Sequence, residues 1–170
     1  HAGYEAYRAD KRQNMQASLV VGANDGFLHV LAANNGAHRL AFLPAATQAS
    51  AGARAGLDFG QGGHRSGVDG AITVADTVLN TTWTTLAVAG LGAGGKALVG
   101  IRLYDQDFKN DALGALWEIS PNTQGFADLG HVYGKPVIAR LENRWVAISG
   151  NGYGNAGGQP TLYVIDLADG

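Results

Sequence analysis

The chain has 170 residues, 46% hydrophobic and 15% charged, which is enough apolar material for a sizeable core and too little charge for a disordered chain. Its formal net charge is −2 and no Lys/Arg cluster stands out, which disfavours nucleic acid and anionic membranes as partners. The absence of cysteine excludes disulfides and thiolate metal sites here and is compatible with a secreted or periplasmic setting.

The 26 glycines, about twice the ~7% average usage, follow no collagen-like period and cluster at strand ends, as expected of an all-β protein full of turns. His1 to Asp10 is polar and lacks the apolar core of a signal peptide. The mildly apolar Leu86–Leu103 stretch is broken by glycines, Lys96 and Arg102, so no membrane span is expected. The chain starts without Met and ends at Asp169-Gly170, a turn signal, and so reads as a fragment.

In chain order, residues 5–16 form the one helix candidate: good helix formers with a thin apolar face of Tyr4, Tyr7 and Met15. Leu19 to Gly22 and Phe27 to Leu31 are apolar strands around Asn24-Asp25-Gly26, the strongest short-range hairpin signal. Leu40-Ala41-Phe42-Leu43-Pro44 follows as a third strand. Residues 45–69 are Ala/Gly/Ser-rich and aperiodic, include Gln61-Gly62-Gly63-His64-Arg65-Ser66-Gly67, and read as a long inter-blade loop.

The remainder repeats a four-part unit. A short strand opens it, Ile72–Asp76 or Pro136–Arg140. A Trp-led strand follows, Trp83–Gly90 or Trp145–Gly150, then a Gly-rich turn and an aliphatic strand, Ala97–Tyr104 or Thr161–Leu167. Ala115–Pro121 closes the unit, and the opening segment has the last three parts only. Gly22, Gly90 and Gly150 anchor the copies at intervals of 68 and 60 residues. About four strands per period points to β-propeller blades, because one blade cannot cover both of its own faces. An antiparallel sandwich is the alternative. The expected organisation is a single propeller domain over residues 1–170: a partial blade at 19–44, a blade at 70–121 and an incomplete blade at 128–170. These are two to three blades of a larger ring, completed by the same or another chain.

Each candidate for chemistry has a structural reading beside it. Asp105-Gln106-Asp107-Phe108-Lys109-Asn110-Asp111 starts like a calcium loop. Lys109, Asn110 and Leu116 then occupy positions that need an oxygen ligand, Gly and Glu, so it reads as a solvated acidic loop. Asp25 could offer one metal oxygen, but reads as a turn residue bonding backbone N–H groups. His1, His29, His38, His64 and His131 show no ligand spacing, and His29 alternates with Leu28 and Val30, which turns it to the opposite face. The turns at Gly90–Gly95 and Gly150–Gly158 lead into strands rather than a helix, unlike phosphate cradles. Trp83, Trp117 and Trp145 read as inter-blade packing. No catalytic, cofactor-binding or metal-binding residue is assigned.

Five stretches carry a family resemblance: Val20-Val21-Gly22-Ala23-Asn24-Asp25-Gly26-Phe27-Leu28-His29, Val68-Asp69-Gly70, Gly90–Gly95, Leu129–Arg140 and Arg144–Tyr153. In this order they resemble the C-terminal propeller of the type IV pilus biogenesis and tip-adhesin family, the PilY/PilC type. The resemblance implies a modified, quinoprotein-like β-propeller in a secreted or outer-membrane-associated bacterial protein of the pilus tip or cell surface. It implies work in pilus assembly, twitching motility and attachment, with pilins or minor pilins and host or abiotic surfaces as partners. Calcium-binding members use an Asp-rich loop expected beyond Gly170, so no cofactor is implied for this segment. Leu31-Ala32-Ala33 and Leu98-Val99-Gly100-Ile101 depart from the family pattern. A non-enzymatic module is the leading expectation. A quinoprotein-like oxidoreductase, or an interaction propeller unrelated to pili, are the alternatives.

Overall fold

The structure, a computed structural model, describes residues 2–57 and 64–170. His1 and the Gln61-Gly62-Gly63 part of the glycine-rich loop lie outside the described residues. The chain opens with helix α1 (Tyr4–Asn14), shorter at its end than expected because Met15 turns extended at φ −72°, ψ 123°. The first sheet follows: β1 (Ser18–Gly22), β2 (Leu28–Ala32) and β3 (His38–Phe42), an antiparallel meander.

Within the stretch read as a long inter-blade loop, residues 45–54 hold two helical turns, α2 (Ala45–Gln48) and α3 (Ala51–Arg54). Alanine has the highest helix propensity, and one-turn helices are too short to display a period. Pro44 fixes the entry and accepts the Thr47 and Gln48 amides through its carbonyl. The Glu118 carboxylate takes the Ala45 and Ala46 amides, anchoring the loop to the next blade.

The second sheet has four strands in sequential order: β4 (Ile72–Leu79), β5 (Thr82–Gly90), β6 (Leu98–Asp105) and β7 (Gly114–Ile119). β4 runs three residues beyond the expected Asp76. A two-residue turn with positive φ at Asn80 (47°) and Thr81 (76°) lets Leu79 pair with Thr82. The third sheet, β8 (Val137–Leu141), β9 (Arg144–Gly150) and β10 (Leu162–Asp166), repeats the first three strands of that order. The first sheet repeats its last three, so β1 and β10 are both sheet edges.

Two cores lie between the sheets, and the pleat of the second sheet feeds both. Leu86 and Val88 of β5, with Leu98, Trp117 and Ile119, pack against Ala147, Ile165 and Leu167 of the third. Ala87 and Ala89, with Val99, Ile101 and Leu103, pack against Leu28 and Val30 of the first. Hence eight consecutive residues of β5, Trp83 to Gly90, are buried rather than alternating. Small residues admit large ones: a Cβ at Gly100 would sit 2.6 Å from the Trp117 ring. The outward faces remain open. Leu19 and Val21 are 54% and 41% exposed on the first sheet; Val137, Val164 and Leu162 are 58%, 48% and 69% exposed on the third.

Candidate functional site

Because successive strands reverse direction, the turns between the Trp-strand position and its follower lie on one rim with the connectors entering the next blade. On this rim backbone packs on backbone, and glycine makes that fit. A Cβ on Gly22 would lie 2.3 Å from the Val68 carbonyl oxygen, and one on Gly90 2.3 Å from that of Val132. The Val68 amide donates to the Ala23 carbonyl (3.0 Å), and the Gly92 amide to the Val132 carbonyl (3.1 Å). Each connector also bonds the turn of its own blade, Asp69 N–H to the Leu91 carbonyl and His131 N–H to that of Tyr153.

Polar side chains lock the same rim. Asp25 accepts the Phe27 amide at 2.9 Å and holds His29 Nε2 at 2.8 Å, with Gly26 at φ 96° completing the turn. Burial pushes the Asp25 carboxyl up, but the Phe27 N–H and His29 outweigh it and leave the group below the usual carboxylate range. Asn24 accepts the Gly67 amide, Asp69 the Ala93 amide and Asp128 the Gly157 amide. Buried Asn151 donates to the Asp128 and Gln159 carbonyls and accepts the Thr161 amide, which shapes the long turn before β10. His131 Nδ1 lies 2.7 Å from the Gly92 carbonyl.

At the opposite rim α1 lies across the ends of β4, β5 and β6. Tyr7 is fully buried against Trp83 and Tyr104. Asp76 is the hub: it pairs with Lys11 Nζ at 2.5 and 2.6 Å and accepts the Thr85 hydroxyl (2.7 Å) and the Tyr4 hydroxyl (3.2 Å). Tyr7 and Thr85 hydroxyls meet at 2.6 Å. Asp10 accepts the Tyr104 hydroxyl (2.6 Å) and the Lys109 ammonium (2.9 Å), which hold its carboxyl below the usual range. Burial raises the Tyr7 and Tyr104 phenols well above theirs.

The Asp105 loop is exposed at Gln106, Asp107, Phe108 and Asp111, as expected of a solvated loop, but Asp105 itself is not. Asp105 is 2% exposed, accepts the Asp107 and Phe108 amides at 3.0 and 2.6 Å, and faces Arg102 at 3.2 Å. Lys109, at the position that spoils a calcium loop, instead reaches Asp10 on α1.

Among the described residues the histidines are dispersed except for His29 and His38, whose rings meet edge-on at 5.1 Å. Among the described residues no group of three or more His, Asp or Glu is placed to hold a metal. The tryptophans sit between blades: Trp83 and Trp145 meet at 6.4 Å, and Trp117 Nε1 donates to the Leu167 carbonyl at 3.1 Å. Sequence reasoning missed the Asp76–Lys11–Thr85–Tyr7 cluster. Its signal was available, an Asp interrupting the apolar Ile72-Thr73-Val74-Ala75 run. The clamping roles of Asp69, Asp128 and Asn151 had no comparable signal, since each depends on a long-range backbone partner.

The chain is 34% identical over 153 residues to the type IV pilus biogenesis factor PilY1 of Pseudomonas aeruginosa strain UCBPP-PA14, covering 89% of this chain and 13% of that protein. A PilY1 homolog of Xylella fastidiosa is 35% identical over 170 residues, 98% of this chain and 11% of that one. The chain thus spans about an eighth of the curated relatives' length. The crystal structure of the Pseudomonas aeruginosa PilY1 C-terminal domain superposes with a TM-score of 0.72 at 32% identity, over 95% of this chain and 30% of that domain. The family model described as PilY1 beta-propeller domain matches residues 2–170, and the chain belongs to that family.

Proposed function

We infer that residues 1–170 are a non-enzymatic scaffold segment within the propeller of a type IV pilus biogenesis protein. The observation that carries this is the match of nearly the whole chain to the PilY1 propeller family, with the same blade architecture. The segment acts without a cofactor of its own. Its polar side chains support this reading: Asp25, Asp69, Asp105 and Asn151 are committed to backbone groups, and the three tryptophans to inter-blade packing. The protein works at the cell surface or pilus, where it supports pilus assembly, twitching motility and attachment. Its partners are pilins or minor pilins and a host or abiotic surface. Deleting the gene is expected to reduce surface piliation and twitching, and complementation to restore both. Unchanged piliation and adhesion in the deletion strain would refute the pilus reading.

A further inference from the structure

We propose that His29 and His38, with Asp25 behind His29, form a two-histidine site on the first sheet for a divalent transition-metal ion of the Zn2+ class. The ion braces β2 against β3 and takes part in no reaction.

The site begins in the first hairpin turn. Asp25 Oδ2 lies 2.8 Å from His29 Nε2. An ionised carboxylate only accepts, and the Asp25 carboxyl is held below the usual range. The proton of the neutral ring therefore sits on Nε2 and donates to Asp25, which leaves the lone pair on Nδ1. That Nδ1 is buried and has no hydrogen-bond partner among the described residues. A carboxylate on the far nitrogen is the arrangement that fixes the tautomer of a metal-ligating histidine. His131 gives the contrast, since its Nδ1 is already occupied by the Gly92 carbonyl at 2.7 Å.

A second imidazole stands at chelating distance. The His29 and His38 ring centroids are 5.1 Å apart, with the planes at 85°. Two imidazole nitrogens, each about 2.0–2.1 Å from one tetrahedral ion, put their ring centroids about 5 Å apart. A bulge between Val30 and Leu31 places His38 there: it sets His38 rather than Arg39 opposite Leu31, which shares the face of His29. His38 is exposed and gives the ion its way in, while the His29 side chain is only 14% exposed. Water fills the remaining coordination positions. Neutral imidazole nitrogen suits Zn2+, Cu2+ or Ni2+ and not the oxygen-seeking Ca2+ or Mg2+. All three residues belong to β2, β3 and the turn ahead of them, so the site needs no other part of the protein.

The inference rests on this hairpin and not on the pilus role, so its failure is read from metal binding and that of the pilus reading from piliation. The test is titration of the metal-free intact protein with Zn2+, in excess Ca2+ to fill oxygen-rich sites, beside His38→Ala and Asp25→Asn. His38→Ala is expected to bind one Zn2+ fewer per chain. Asp25→Asn is expected to keep that ion with its affinity lowered on the order of 10–100-fold, the usual effect of removing the carboxylate behind a ligating histidine. Equal stoichiometry and affinity in the native protein and His38→Ala would overturn the proposal, and unchanged affinity in Asp25→Asn would remove Asp25 from it. Should a variant not fold, the native protein is acylated at its imidazoles with diethyl pyrocarbonate and read by peptide mass. Saturating Zn2+ is expected to slow the reaction at His38 at least about tenfold, because a ligated nitrogen has no lone pair to offer. An equal rate with and without Zn2+ also overturns the proposal.

Discussion

The second sheet and its two neighbours are built from the same repeat, yet they satisfy their apolar residues differently. The second is covered on both faces, and its β5 is buried from Trp83 to Gly90. The first and third keep the alternation of a half-covered sheet, with Leu19, Val21, Val137 and Val164 outward. Sequence alone does not separate these cases, because Val20-Val21 and Val88-Ala89 are chemically alike. Position in the array does: a blade is finished by its neighbours, as in other quasi-linear repeats.

That difference breaks most visibly in the second sheet. Trp117→Ala removes a ring that packs on Gly100 and donates to Leu167 across the blade boundary. A loss of about 3–5 kcal/mol is expected in denaturant unfolding of the intact protein. Phe108→Ala, on a side chain 66% exposed, is expected to change stability by no more than about 0.5 kcal/mol. Comparable effects at the two positions would mean that the second sheet is not the closed centre of the segment.

A smaller effect is expected from acid. Asp10 and Asp25 both have carboxyls held below their unfolded range, so each stabilises the fold above that range and loses its contribution as pH falls through its lowered value. Melting temperature should therefore fall below about pH 4. Asp10→Asn should flatten that part of the profile. An unchanged acid limb would show that the α1 attachment through Tyr104 and Lys109 contributes nothing measurable.

Strands and turns were legible where local chemistry decides them. Apolar runs bounded by Gly and Asx place β1, β2, β5 and β9 within a residue or so of where they lie. The reading of Asp25 as a turn residue matches its bond to the Phe27 amide. The end of β4 was not legible, because a two-residue turn at Asn80-Thr81 puts the β-branched Thr81 at positive φ, against its intrinsic preference. Nor were the turns at Ala45–Arg54, which lack a period, or the burial of Asp105, which follows from backbone amides folding over it. The rim clamps join residues dozens of positions apart, so only the folded backbone reveals them.

Central to this architecture is a fourth strand for the first and third sheets in the intact protein, pairing with β1 and with β10 as β4 and β7 complete the second sheet. Hydrogen–deuterium exchange of that protein, followed on peptides covering β1, β5 and β10, tests it most directly. Edge strands leave half their amides free, whereas strands flanked on both sides protect nearly all of them. Protection of β1 and β10 approaching that of β5 is the expected result; rapid exchange of β1 and β10 beside a protected β5 would contradict the claim.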